Sequence, residues 1–426
     1  MTGTITTSIG VHKTEALLFF TLLQLSAIVL AGRVGGSLAL RFGQAPAVGE
    51  IIVGILLGPS LLGIVSPDLF SFLFKSAPPE PIQILSQLGL ILLMFQIGLE
   101  FDFSHLAAPQ HRKSVFAIAA ASLILPFGLG LAFGYYTAPI LSPDADRIAS
   151  ALFVATAFSI TALPILGRIL MDFKLTREPL GVIAISAAAI NDVVGWLLLA
   201  LITELTLAHF QPASFGIKIA WVVGFFLFMC FAVRPVAGYW LGKSSLQRGE
   251  LSNNVFGGVL IAVFLSAMST YKLGIFAIFG GFIMGVILHD QATLIGTWRE
   301  RMGQFVLVFF LPIFFTYSGL RTDIGGLQNA EQWGWCGLLI LLATLGKFGG
   351  AYLAARFCGL DNRQAKIIGI LMNTRGLMEL IIINVGLDLG VISRNLFTML
   401  VIMAIASTVI TTPGLRAWLP GLPKIG

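Results

Sequence analysis

The chain has 426 residues, of which 57% are hydrophobic and only 11% charged, with 26 Lys and Arg against 20 Asp and Glu for a net charge of +6. A soluble domain carries roughly 25% charged residues, so this composition excludes an ordinary water-facing surface, and with it most soluble enzymes and any bilobed ATPase. The basic residues are scattered singly rather than gathered on a stripe, which argues against nucleic acid as a partner.

At about 20 residues per helical crossing, the length holds roughly a dozen spans and no large soluble domain. Apolar runs between polar or Gly/Pro breaks predict thirteen spans: 15–40, 45–58, 83–100, 114–136, 148–170, 178–204, 215–240, 252–271, 273–288, 303–320, 333–356, 364–387 and 394–413. The runs are continuous rather than alternating, so the lipid bilayer selects helices and not the strands of a barrel. No signal peptide is predicted, because the first ten residues lack a basic start. Cys230, Cys336 and Cys358 lie in or beside apolar stretches without Cys-x-x-Cys spacing and read as small core residues.

Strict alternation of the spans places 17 basic residues on one side of the membrane and 7 on the other, with Lys347 and Arg375 left inside it. The positive-inside rule then puts the N-terminus outside and the C-terminus in the cytoplasm. An even number of spans would scramble this bias.

The third span closes on Gly-Leu-Glu-Phe-Asp at Asp102, and the tenth on Gly-Leu-Arg-Thr-Asp at Asp323. The spans before them pair as well: the stretches from Ile51 and from Phe279 each carry a Gly-x-x-x-Gly spacing that lets helices approach closely. A shift of seven spans maps one half on the other. Because seven is odd the second copy is inverted, the signature of secondary transporters. The chain is therefore expected to be a single membrane transport domain over 1–426. It would hold a first six-helix repeat at 15–204, a linker helix at 215–240 and a second six-helix repeat at 252–413, without a cytosolic nucleotide-binding domain.

The repeat points to matched interruptions. Span five crowds Thr156, Ser159, Thr161 and Pro164 at membrane depth; span twelve places Asn373, Thr374, Arg375, Gly376 and Glu379 where an apolar helix should run. Pro removes a backbone donor while Ser, Thr and Asn satisfy freed backbone groups, so each helix is expected to unwind near its middle. Asp192 in span six has apolar helix on both sides, and an acid at that depth reads as a proton or cation site. Asn191 can orient it. Lys347 in span eleven needs a buried partner, either Asp192 or a carbonyl of an unwound helix. Arg375 and Glu379 are four apart and can neutralise each other. Glu50 opens span two and reads as a solvated interfacial residue.

Several stretches, "GEIIVGILLGPSLLG", "GLILLMFQIGLEFD", the Asn191-Asp192 pair, "FFTYSGLRTD" and "MNTRGLMELIIINVGLDLGVI" followed by "ITTP", are similar in order and spacing to the cation:proton antiporter-2 family. The last most resembles plant cation/proton exchangers and bacterial potassium efflux antiporters. The resemblance implies an all-α polytopic fold of about thirteen helices with two crossed broken helices, a homodimer, and a dimerisation domain beside a core domain. It also implies a role in pH homeostasis. Asp192 matches the family's ion-binding aspartate, and Lys347 falls on the span where relatives carry a basic partner. Electrogenic sodium/proton relatives carry a second carboxylate where Asn191 stands. The expected activity is thus electroneutral exchange of a monovalent cation, K+ or Na+, for a proton by alternating access, with the cation bound at Asp192 and assisted by Asn191, Thr156, Ser159 and Thr161. A cation channel or another proton-coupled transporter on the same scaffold is the alternative. No cofactor is expected, and no His-Glu-x-x-His or Gly-x-Ser-x-Gly motif suggests an enzyme.

Overall fold

The computed structural model describes residues 2–100, 112–175, 178–207, 212–248, 251–273 and 276–419. Asp102, which ends the first repeat motif, lies outside them. Every regular element among the described residues is a helix. In chain order these are α1 (Thr2–Arg41), α2 (Pro46–Leu56), α3 (Leu62–Val65), α4 (Pro67–Phe74), α5 (Glu80–Leu99), α6 (Arg112–Leu141), α7 (Arg147–Ser159), α8 (Leu163–Asp172) and α9 (Pro179–Leu207). They continue with α10 (Pro212–Phe228), α11 (Arg234–Arg248), α12 (Asn253–Lys272), α13 (Ala277–Ile287), α14 (Ala292–Trp298), α15 (Leu311–Leu320), α16 (Ala330–Phe357), α17 (Asn362–Met372), α18 (Leu377–Asp388) and α19 (Arg394–Trp418). Among the described residues nine stretches are long and apolar enough to cross a membrane, and α2, α7 and α13 are shorter apolar helices.

Three π turns occur among the described residues; one, Arg299–Gly303, continues α14, and the other two precede prolines. Met229–Val233 joins α10 to α11, and Val306–Phe310 leads into α15. Each is followed within two residues by a proline, Pro235 or Pro312, whose missing amide forbids the regular bond to the preceding turn.

The helices pack as two groups. In one, α1 lies on α2, α2 on α15, α15 on α5, α5 on α13, and α13 on α12. In the other, α6 packs on α7, α9 and α16, while α16 and α19 hold α17 and α18. The first group is locked by glycines. A Cβ on Gly319 would sit 2.1 Å from the Gly54 carbonyl oxygen, and one on Gly285 would sit 2.2 Å from that of Phe95. Gly98 faces the Phe282 oxygen at 2.5 Å in the same sense. Each short helix thus lies against the long helix of the opposite half, and the glycines of both Gly-Leu motifs sit at these contacts.

Few polar bonds join the groups. At the end of α15, Arg321 pairs with Asp388 of α18 and donates to Asn384 Oδ1 at 3.2 Å, while Asn384 Nδ2 donates to Ser318 Oγ at 2.8 Å. Aromatic and basic side chains meet at the ends of the second group: the Arg147 guanidinium stands 3.8 Å from the centre of the Tyr135 ring, and Lys366 5.9 Å from that of Trp418.

One expectation is corrected. Glu50 is buried, at 6% exposure, rather than solvated, because it sits in the second turn of α2 where Gly36 of α1 brings the two helices together. Gly319→Val should destabilise the protein by about 1–3 kcal/mol through overpacking, read from unfolding in detergent. Gly349→Ala, with open space around its Cβ, should be neutral in the same assay.

Candidate functional site

The two interruptions fall where the sequence suggests and touch each other. The first is the non-helical stretch Ile160 to Ala162 between α7 and α8, extended at Ile160; the second runs from Asn373 to Gly376 between α17 and α18. The Ala162 amide donates to the Thr374 carbonyl at 3.0 Å, and the Thr161 hydroxyl to the Met372 carbonyl at 3.1 Å. Pro164 stands in the first turn of α8 rather than in the non-helical stretch, a position where its missing amide costs nothing. Gly376 adopts φ of 146°, open to glycine alone, and a Cβ there would lie 2.3 Å from Ile165 Cδ1. Thr408 of α19 holds the unwound main chain at Arg375, accepting from its amide at 3.1 Å and donating to its carbonyl at 2.6 Å.

Breaking a helix separates amides from the carbonyls four residues earlier, and groups on both sides of the cut find new partners. The carbonyls at the end of α7 go to buried cations. Arg375 donates to Ala157 at 2.6 Å and to Phe158 at 2.8 Å, and Lys347 Nζ donates to Ser159. On the other side of the cut, the Ala162 amide has gone to Thr374 and the Leu163 amide faces the Asp192 carboxylate. Positive side chains therefore meet the negative end of α7, and a carboxylate meets the positive end of α8.

All of the expected charged residues are buried here. Lys347 donates to the Ser122 carbonyl at 2.9 Å as well as to Ser159, and among the described residues no ion pair within 4 Å joins it to Asp192. Of its two expected partners, the carbonyl of an unwound helix is the one it binds. Arg375 and Glu379 form an ion pair of 3.3 Å, and Arg375 also reaches the Ala343 carbonyl at 3.4 Å. Asn191 Nδ2 donates to Ser122 Oγ at 2.8 Å. The Thr156 and Ser159 hydroxyls donate to carbonyls of their own helix, Leu152 at 2.8 Å and Ala155 at 2.6 Å, which leaves their lone pairs as acceptors.

Several buried polar atoms have no protein partner: Asp192 Oδ1, Asn191 Oδ1, Thr374 Oγ1, Glu379 Oε2 and both side-chain atoms of Asn373. An uncompensated oxygen in a protein interior costs on the order of 1–3 kcal/mol, more when charged. Grouped around a helix break, such oxygens suit a bound cation, proton or water. Sequence reasoning missed Ser122 and Thr408. For Ser122 a signal exists: Pro126, four residues on, lacks the amide that would occupy the Ser122 carbonyl in a regular helix.

An all-helical membrane protein whose interrupted helices cross among buried charges has the architecture of a secondary transporter. The model of the sodium/hydrogen exchanger transmembrane family matches residues 25–420, and the chain belongs to that family. It is 41% identical to the Na+/H+ antiporter NhaS4 of Synechocystis over 398 residues, covering 93% of this chain and 96% of that one. It is 36% identical to cation/H+ antiporter 17 of Arabidopsis thaliana over 95% of its length, and spans 49% of that longer protein. The fold is also that of the sodium proton antiporter MjNhaP1 of Methanocaldococcus jannaschii, at a TM-score of 0.60 and 15% identity over 94% of this chain and 97% of that one.

Arg375→Met should destabilise the protein by about 3–5 kcal/mol, since Glu379 and the carbonyls of Ala157 and Phe158 lose their partner together. Introduced into a Glu379→Gln background it should cost less. A double-mutant cycle on unfolding in detergent measures the difference.

Proposed function

We propose that the protein exchanges a monovalent cation, K+ or Na+, for a proton by exposing Asp192 alternately to the two sides of the membrane. The observation that carries this reading is the allocation of charge around the break. Lys347 donates to main-chain oxygens and Arg375 to main-chain oxygens and Glu379, so among the described residues no cation stands within 4 Å of Asp192, and Lys347 acts on it only as a nearby charge. Its Oδ1 has no protein partner. Cation and proton compete for one carboxylate, which is sufficient to couple the two fluxes.

With Asn191 uncharged and Lys347 holding its proton, one proton exchanges for one cation and the cycle is electroneutral. The Asn191 side-chain oxygen and the hydroxyls of Thr156, Ser159 and Thr161 supply neutral ligands to the partly dehydrated cation, as befits a hard ion. That its relatives are a Na+/H+ antiporter and a cation/H+ antiporter supports this substrate class.

We read the chain as thirteen membrane segments in two inverted repeats, 15–204 and 252–413, joined by a linker at 215–240. The packing supports this: each half gives three segments to each group of helices, and α2 meets α15 as α13 meets α5. The 17-to-7 bias of basic residues supports an outer N-terminus and a cytoplasmic C-terminus. The glycine-locked group is the stationary part and the natural homodimer surface, and the group holding the breaks is the part that moves.

In proteoliposomes with a pH-sensitive dye, the protein should show cation-dependent proton flux that Asp192→Asn abolishes; persisting exchange would exclude this site. The flux should not respond to an imposed membrane potential, and a steep voltage response would refute electroneutrality. Arg321→Cys with Asp388→Cys joins the two groups at one rim. Oxidising that pair should stop exchange, and reductant should restore it.

A further inference from the structure

We propose that Ser122 is a positioning residue of the exchange site, whose hydroxyl fixes the Asn191 amide so that its oxygen is presented next to Asp192 as a neutral cation ligand. The inference rests on the exchange reading above and assigns a task to a helix that reading leaves unused.

Ser122 is fully buried in α6. Its hydroxyl has a single proton, and the geometry directs that proton to the Ala119 carbonyl at 3.2 Å. Toward Asn191 the hydroxyl can then only accept, and Asn191 Nδ2 donates to it at 2.8 Å. With the amide reversed, the hydroxyl would have to turn its proton from the Ala119 carbonyl to the Asn191 oxygen, so the orientation in the structure keeps one hydrogen bond more. In that orientation Asn191 Oδ1 points away from Ser122 and, although buried, finds no protein partner. The next residue on α9 is Asp192, whose Oδ1 is likewise unpartnered.

The main chain of Ser122 is tied down independently. Pro126 has no amide to give the Ser122 carbonyl, and Lys347 Nζ fills the place at 2.9 Å. One residue thereby holds the lysine through its carbonyl and the asparagine through its hydroxyl. A neutral amide oxygen adds to the coordination of a dehydrated cation without adding a second proton acceptor, so competition at Asp192 stays one for one.

The test measures cation-dependent proton flux in proteoliposomes at varied Na+ and K+ for the unmodified protein, Ser122→Ala, Asn191→Ala, the double variant and Ser122→Thr. Ser122→Ala should raise the apparent KM for the cation by about tenfold, the size of one buried hydrogen-bond defect, and leave the maximal rate within about twofold. Asn191→Ala should do the same, and the double variant should be no worse than Asn191→Ala, because Ser122 acts through the amide. Ser122→Thr keeps the hydroxyl and should restore the KM. If Ser122→Ala does not fold, Asn191→Ala still reports on the bond, and an unchanged KM there overturns the proposal. Additive effects in the double variant, or an unchanged KM in folded Ser122→Ala, overturn it while the exchange reading stands. No cation-dependent flux in the unmodified protein overturns both.

Discussion

The interior is organised by a set of helix hydrogen bonds that the chain does not make. Between α7 and α8, carbonyls at 157 to 159 and the amides at 162 and 163 are parted by one non-helical stretch. In a low-dielectric interior neither side of that cut can be left bare. The carbonyls recruit Arg375 and Lys347; the amides recruit Thr374 and Asp192. Three buried charged side chains, Arg375, Lys347 and Asp192, meet this one separation, and Glu379 follows as the partner of Arg375. Without the break, Lys347 and Arg375 would have too few oxygens to bind, and burying either would cost several kcal/mol.

The same separation explains why the charges do not simply cancel in pairs. A carbonyl is a neutral acceptor that nevertheless satisfies a cation, so main-chain oxygens take up positive charge that carboxylates would otherwise neutralise. Glu379 is held by Arg375, and Asp192 keeps an oxygen for something else. The second break contributes the cation that caps the first, and Thr408 and Gly376 hold it in the shape that lets the guanidinium reach across.

Much of this was legible in the sequence because the bilayer punishes polar residues. Asp192, Lys347, Arg375 and Glu379 stood out against apolar surroundings, and Ser, Thr, Asn and Gly in spans five and twelve marked both interruptions. Partner choice was less legible. Lys347 had two plausible acceptors, and only the three-dimensional path of α6 brings the Ser122 carbonyl to it. Ser122 itself is an unremarkable serine in an alanine-rich run, and its meaning comes from Pro126 and from the distant Asn191. Glu50 was misread because an acid near a span end has the same pattern whether it faces water or a neighbouring helix; Gly36, which brings α1 against it, belongs to another span. The Arg321–Asp388 contact joins residues 67 positions apart and leaves no local trace.

The aromatic and basic pairs at the ends of the second helix group bear on how the surrounding lipid is felt. Tyr135 with Arg147, and Trp418 with Lys366, have the amphipathic character that settles at the boundary between headgroups and hydrocarbon. Both belong to the helices that carry and buttress the breaks; in the glycine-locked group Tyr317 meets Arg321 at the end of α15 in the same way. A hydrocarbon layer whose thickness departs from the depth these anchors favour exerts a load of fractions of a kcal/mol per Å, and part of that load falls on the helices around Asp192. Hydrocarbon thickness is thereby a mechanical input to the same helices that hold the buried charge.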